Sequence, residues 1–199
     1  MEGFGNAGAT MARILSENGY TVVAVNDSRG GVHNQKGLDI EKLAQHKEKT
    51  GSVVNFTGGK NIENDILSQE SDVLVLAALE NSVTLENAEK IKAQLVVELA
   101  NGPITADGDD ILSRSGIIVV PDILANAGGV VVSYFEQVQN AYNYYWEETE
   151  ILEKLKKIMT DSFVQVWEKK ETYKTDMRGG AYALALGRIA QAMKDRGMV

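Results

Sequence analysis

Four short runs of the chain are largely apolar and rich in β-branched residues: Tyr20 to Asn26 (YTVVAVN), Asp72 to Ala78 (DVLVLAA), Leu95 to Leu99 (LVVEL) and Ile117 to Val120 (IIVV). Their apolar positions do not alternate with polar ones, so both faces of each strand are to be buried. That calls for a parallel sheet covered by helices. Helical spacing fills the intervals. Met11, Ile14 and Leu15 mark a helix over Ala7 to Asn18, ended by Asn18-Gly19. Further helices are expected over Asp39 to Thr50, Glu86 to Ala93 and Thr105 to Ser115. Gly30-Gly31 and Gly58-Gly59 read as loop markers. From Asn126 on, the alternation stops and only helices are read. One carries an apolar stripe at Ile151, Leu155, Ile158, Met159, Phe163 and Val166, the last another at Ala181, Leu184, Ala185, Ile189 and Met193. Core packing accounts for such stripes.

One segment is neither strand nor stripe. Gly3-Phe4-Gly5-Asn6-Ala7-Gly8 has the order G-x-G-x-x-G and opens the first helix. In a dinucleotide-binding fold the first glycine permits the tight turn, the second lets backbone approach a pyrophosphate, and the third lets helix and strand pack closely. Asp27 closes the next strand about 20 residues on, where a carboxylate can accept from an adenosine ribose. An Asp that merely caps a turn is the plainer alternative. The expected fold is therefore α/β. A Rossmann-type doubly wound sheet covers residues 1–140, and helices over 141–199 pack on it. Only Met1 and Glu2 precede the glycine turn, so the first strand of that sheet is expected to be largely missing. The neighbouring strands would then expose unpaired edges. Self-association that covers them is the favoured outcome, over closure of the sheet or poor folding.

Composition narrows the partners. Of 199 residues 44% are hydrophobic, enough for a core, and 28 acidic residues outnumber 20 basic ones. The net charge of −8 disfavours nucleic acid and anionic membranes. There is no cysteine, hence no disulfide and no thiolate metal site. His33 and His46 lack metal-ligand spacing. The longest apolar run is too short to cross a bilayer, and no signal pattern is read at the start. A cytoplasmic location is the expectation. The aromatic group Tyr142, Tyr144, Tyr145 and Trp146 has no interleaved basic residues, so helix-junction packing or a domain contact is expected there.

The motifs GFGNAG, VNDSRGG, AALEN (Ala77 to Asn81), ANGP (Ala100 to Pro103) and PDILANAGGVVVSYFEQVQN (Pro121 to Asn140) together resemble the cofactor domain of glutamate dehydrogenases. That group lies in the glutamate/leucine/phenylalanine/valine dehydrogenase superfamily, and the resemblance covers essentially the whole chain. It implies binding of NAD or NADP. Gly3, Phe4, Gly5, Asn6 and Ala7 would wrap the pyrophosphate, Asp27 and Ser28 would face the adenosine ribose, and the small Ala77 and Ala78 would leave room for the cofactor. Asn101 and Asn126 would meet the nicotinamide ribose and carboxamide. Val130 and Ser133 would line a glutamate side-chain pocket. Asn126 could instead cap a helix, and Ser133 could be an ordinary helix-face serine.

The resemblance also implies a second, glutamate-binding domain that supplies the catalytic lysines and aspartate, to none of which a residue here is matched. No catalytic residue is assigned, and the chain alone is expected to be inactive. The expected partners are a nicotinamide dinucleotide, a separate glutamate-binding domain and further copies in a homo-oligomer. The competing reading is a non-catalytic nucleotide-binding or interaction module. A self-sufficient short-chain dehydrogenase, which uses Tyr with Lys four residues later, finds no match at Tyr142, Tyr144, Tyr145 or Tyr173. Two departures from the family pattern stand out. Leu99 would bring bulk toward the cofactor cleft, and Gly179-Gly180 would weaken the start of the last helix.

Overall fold

The glycine turn leads directly into helix α1 (Asn6–Glu17), whose Ala12 is fully buried. A strand β1 (Ala24–Asp27) follows and pairs antiparallel with β2 (Gly30–His33), which pairs antiparallel with β3 (Lys60–Ile62). Helix α2 (Ile40–Thr50) is capped by Asp39, whose side chain accepts from Lys42 N–H at 3.0 Å. A second sheet has the order β4 (Val73–Leu76), β5 (Leu95–Glu98), β6 (Ile118–Val120), with β4 and β5 parallel. Helix α3 (Ala106–Arg114) lies between β5 and β6 in sequence and is capped by Thr105. The computed structural model describes residues 1–63 and 65–198 and divides into compact units at Met1–Val119 and Val120–Val199.

The two sheets of the first unit are joined through the first residues of the chain. The Met1 amino group donates to Ala24 O at 2.9 Å, and Asn26 N–H donates to Met1 O at 3.3 Å. On the other edge Glu2 N–H donates to Val75 O and Ala77 N–H donates to Glu2 O, both at 2.8 Å. Met1 and Glu2 thus form a two-residue rung of a strand between β1 and β4. One core packs Met1, Phe4, Ala12, Val25, Val32, Leu43, Val53 and Val75. The other packs Leu74, Leu76, Val83, Val96, Ile104 and Leu112. Burying each of these larger side chains contributes about 1.5–3 kcal/mol before entropy is counted.

Several expectations change here. Gly30-Gly31 is strand rather than loop. A Cβ on Gly31 would lie 2.8 Å from Ile62 Cγ1 and 2.9 Å from Val25 O, so the three strands close only around a glycine. The helix expected over Glu86 to Ala93 is reduced to a 3₁₀ turn at Ala88–Lys90. Asn87 donates to Ser82 O and accepts from Thr84 N–H, which fixes a local turn in place of a helical ladder. Leu99 packs half-buried against the first core, so its bulk is taken up there.

The second unit is helical: α4 (Asp122–Ala125), α5 (Gly128–Tyr142), α6 (Glu148–Tyr173) and α7 (Met177–Asp195). It begins at Val120. One glycine of α7, Gly180, serves packing. A Cβ on Gly180 would lie 2.7 Å from Val166 O and 2.9 Å from Lys170 N, so α6 and α7 approach backbone to backbone. Asp176 caps α7 by accepting from Gly179 N–H at 2.6 Å. The stripes are only partly core. Val166 and Ala181 are buried, but Ile158 and Phe163 are each 40% exposed and Ile189 is 57% exposed. Crossing at Gly180 brings together one edge of each stripe and leaves the rest outward. In the aromatic group Trp146 packs edge-on to Phe135 with centroids 5.5 Å apart, whereas Tyr142, Tyr144 and Tyr145 stay exposed.

Candidate functional site

The glycine turn is shaped by what each position excludes. Gly3 has φ +87°, and a Cβ on it would sit 2.7 Å from Ala77 O, so the turn lies directly against the end of β4. A Cβ on Gly8 would meet Gly3 O at 2.0 Å. Only glycine lets α1 fold back onto the turn this closely. Gly5 is the opposite case: no atom lies within 4 Å of its added Cβ. Gly5, Asn6 and Ala7 are exposed while Gly3, Phe4 and Gly8 are buried. Gly5 is the N-cap of α1 and no side chain caps the helix. The first turn of α1 therefore presents backbone N–H groups to open space beside a position without a side chain. The N–H groups and the dipole of a helix amino terminus suit a phosphate. A pyrophosphate fits this cradle by space and by donor type.

Side chains outside the motif hold the turn. Asn26 accepts from Gly3 N–H at 2.8 Å. Lys47, on the last turn of α2, donates to Phe4 O and lies over the Phe4 ring at 5.7 Å. Its ammonium is also 4.0 Å from Asp27 Oδ2. Neither Asn26 nor Lys47 is picked out by the sequence motif. The only hint is that Asn26 adjoins Asp27 at the end of the strand.

The Asp27 carboxylate is occupied by its own surroundings. Oδ1 accepts from Arg29 N–H at 2.9 Å and Ser52 Oγ at 3.1 Å, and Oδ2 accepts from Val53 N–H at 2.7 Å. Burial by itself pushes this carboxyl up. The two backbone N–H groups, the Ser52 hydroxyl and the Lys47 charge outweigh that and hold it below its ordinary value. Ser28 and Arg29, at the β1–β2 turn, are exposed. Ala77 is half-buried and Ala78 exposed at the end of β4, and Asn101 is exposed after β5. The first unit thus brings Gly3 to Ala7, Asp27, Ser28 and Ala77 onto the ends of β1, β4 and the short Met1–Glu2 rung. Ligands of open α/β sheets bind at the carboxyl ends of strands.

In the second unit Asn126 sits half-buried just after α4. Val130 and Ser133 lie on the first turns of α5, with Val130 74% exposed. The Ser133 hydroxyl donates back to Gly129 O at 3.0 Å.

A sequence profile of the family Glutamate/Leucine/Phenylalanine/Valine dehydrogenase matches residues 1–197. The chain belongs to this family. It is 50% identical over 200 residues to the glutamate dehydrogenase of Thermotoga maritima, a match that takes in the whole of this chain and 48% of that protein. It is 43% identical over 199 residues to RocG of Bacillus subtilis, a catabolic NAD-specific glutamate dehydrogenase, again over the whole chain and 47% of the relative. Among solved structures, the hetero-hexameric glutamate dehydrogenase of Thermus thermophilus superposes with a TM-score of 0.91 at 34% identity, over 98% of this chain and 46% of that one. The enzyme from Peptoniphilus asaccharolyticus gives 0.84 at 36% identity, over 100% and 46%. This family member spans about half the length of the relatives it matches. Its α/β fold is the Rossmann-type one, with a parallel sheet and flanking helices.

Proposed function

We propose that this chain is the cofactor-binding part of an NAD(P)-dependent glutamate dehydrogenase. The whole enzyme would interconvert L-glutamate with 2-oxoglutarate and ammonia. The observation that carries the reading is the Gly5 position: an uncapped helix start, exposed backbone donors and open space where a side chain would stand. Gly3, Phe4, Gly5, Asn6 and Ala7 would hold the pyrophosphate through backbone N–H groups. Asp27 and Ser28 would border the adenosine ribose, with Asp27 acting chiefly by shaping the turn that presents Ser28. Ala77 and Ala78 would leave space for the dinucleotide. Asn101 and Asn126 would serve the nicotinamide end, since an amide both donates and accepts. Val130 and Ser133 would contact the glutamate side chain. When bound, the nicotinamide supplies the hydride acceptor or donor. The chain's own residues position it and bring backbone dipoles to its phosphates.

Hydride transfer also needs the substrate held in near-attack geometry. No lysine or aspartate here is matched to that task, so the chain is proposed to bind cofactor without turning over glutamate. A non-catalytic nucleotide-binding module is the second reading, and the same Gly5 geometry favours it equally. Fluorescence titration with NADH and NADPH, followed by an absorbance assay with saturating glutamate, tests the proposal. Saturable dinucleotide binding without turnover is expected. No binding at millimolar dinucleotide, or clear turnover by the pure chain, would contradict it.

A further inference from the structure

The start of α1 holds N–H donors that the helix itself aims and one that it does not. In an α-helix every N–H points toward the amino end. Asn6, Ala7 and Gly8 are therefore oriented by the ladder that begins where Ala9 N–H donates to Gly5 O at 2.8 Å. Gly5 stands ahead of that ladder, with extended backbone at φ −78° and ψ −164°. Among the described residues no acceptor takes its N–H. Its direction is set from outside the helix.

Lys47 sets it. The C=O and N–H of a trans peptide lie in one plane and point to opposite sides. No cis peptide is present among the described residues. The Lys47 ammonium donates to Phe4 O, so the N–H of the same plane, that of Gly5, points away from Lys47. Gly5 is exposed, with open space beside its Cα. The plane of Glu2 and Gly3 behaves differently. Its N–H donates to Asn26 Oδ1 and its carbonyl accepts from Ala77 N–H, both at 2.8 Å, so it is pinned at both ends. The Phe4–Gly5 plane is pinned at its oxygen alone and offers its N–H outward.

Lys47 is itself held firmly. Leu43, one turn earlier on α2, is fully buried, and Gly51 N–H closes the helix on Lys47 O at 2.7 Å. The ammonium lies 4.0 Å from Asp27 Oδ2 and 5.7 Å from the centre of the Phe4 ring. It is thereby fixed between a carboxylate, a carbonyl and a ring. A cation on the carbonyl also polarises the peptide, and linked hydrogen bonds strengthen one another by roughly 10–30% each.

We propose that Lys47 is a positioning residue for the pyrophosphate: its ammonium turns the Phe4–Gly5 peptide so that Gly5 N–H meets the phosphates, without touching them itself. The proposal rests on the reading of the glycine turn as the pyrophosphate site and adds a residue that the motif does not contain.

The test compares the 199-residue chain with Lys47→Met, which removes the charge and keeps an apolar stem, and with Lys47→Arg, which keeps both. NADH and inorganic pyrophosphate, neither of which carries a 2′-phosphate, are titrated by calorimetry. Lys47→Met should bind both about tenfold more weakly, and Lys47→Arg should recover most of the loss. The deficit should persist at 1 M salt, where the screening length falls to about 3 Å and a distant cation loses its pull. In the parent chain the Gly5 amide proton should move downfield as pyrophosphate is added while the Lys47 ammonium nitrogen keeps its resonance. That measurement needs no variant to fold. Unchanged affinity in a folded Lys47→Met chain, a deficit that vanishes in salt, or an ammonium nitrogen that moves with the Gly5 proton would overturn the proposal and leave the cofactor reading standing. A parent chain that binds neither probe would overturn both.

Discussion

The Asp27 carboxylate accepts the backbone N–H of Val53 at 2.7 Å, tying the end of β1 to the loop after α2 across 26 residues of sequence. The same carboxylate takes the Ser52 hydroxyl and lies 4.0 Å from the Lys47 ammonium. Lys47 in turn donates to Phe4 O in the glycine turn. A chain of contacts thus runs from the loop through Asp27 and Lys47 to the glycine turn. Asp27 sits at its centre as a latch, with less of its carboxylate free for a ribose than its place in the motif suggests.

Replacing Asp27 should therefore act twice. Asp27→Ser should lower unfolding free energy by about 1–3 kcal/mol, because Val53 N–H and Ser52 lose a buried acceptor. It should also move cofactor preference toward NADP(H), since a negative charge beside Ser28 is removed while Arg29 and Lys47 remain. Urea denaturation reads the first effect and paired NADH and NADPH titrations the second. Because the folded carboxyl is held below its ordinary value of 3.8, its contribution is present above that pH and is lost as pH falls toward the folded value. The variant should lack that part of the acid dependence. An unchanged stability would show that the latch carries no load.

The buried amino group of Met1 predicts a different pH dependence. Burial lowers it from 8.0 to about 5, against the opposing pull of the Glu2 charge. Between those values the unfolded chain binds the extra proton, so stability should rise with pH from about 5 to 8, by up to about 1.4 kcal/mol per pH unit. Glu2 works the other way. Burial raises its carboxyl, opposed by the Ser82 hydroxyl and the Met1 ammonium, so its share of stability falls as pH climbs above 4.5. Chemical acetylation of the amino terminus removes the first effect, and Glu2→Gln removes the second. Denaturation midpoints of the three forms from pH 4 to 9 should separate them. A wild-type curve flat across pH 5 to 8 that acetylation leaves unchanged would contradict the assignment to Met1.

Gly180→Ala should destabilise the helical unit. Its Cβ would press on Val166 O at 2.7 Å and Lys170 N at 2.9 Å, both of them backbone atoms that cannot swing aside. Overpacking of this kind costs about 1–3 kcal/mol, which outweighs the roughly 1 kcal/mol that alanine gains over glycine in a helix. A thermal melt decides the sign. A raised midpoint would mean that α6 and α7 separate easily.

The legible parts of the fold are those where local chemistry and tertiary need agree. α1 is legible from Met11, Ile14 and Leu15 together with Asn18-Gly19, and Asp39 and Thr105 cap the helices they precede. The parallel strands β4 and β5 follow from their unbroken apolar runs. β2 was illegible because its first two residues are glycines. Their strand role comes from Val25 on the adjoining strand and from Ile62, about 30 residues further on. Glu86 to Ala93 looked helical by composition, but Asn87 spends its side chain on Ser82 and Thr84. In the candidate site the glycine motif marks the turn, while the roles of Lys47 and of Asn26 are not legible because they depend on folding back onto Phe4 and Gly3.

The central claim, that the first turn of α1 is a phosphate cradle, is tested most directly by a pair of alanine substitutions read for both stability and binding. Gly8→Ala would place a methyl 2.0 Å from Gly3 O and should unfold the turn, losing stability and dinucleotide together. Gly5→Ala would place its methyl where no atom lies within 4 Å, at φ −78°, which alanine accepts. It should stay folded and cost no more than about 1 kcal/mol, the preference of an N-cap for glycine over alanine, a fall of at most about 4 °C in the melt. Yet it should bind NADH at least about tenfold more weakly, because the methyl occupies the space of the pyrophosphate. Unchanged NADH affinity in a Gly5→Ala chain of normal stability would contradict the account.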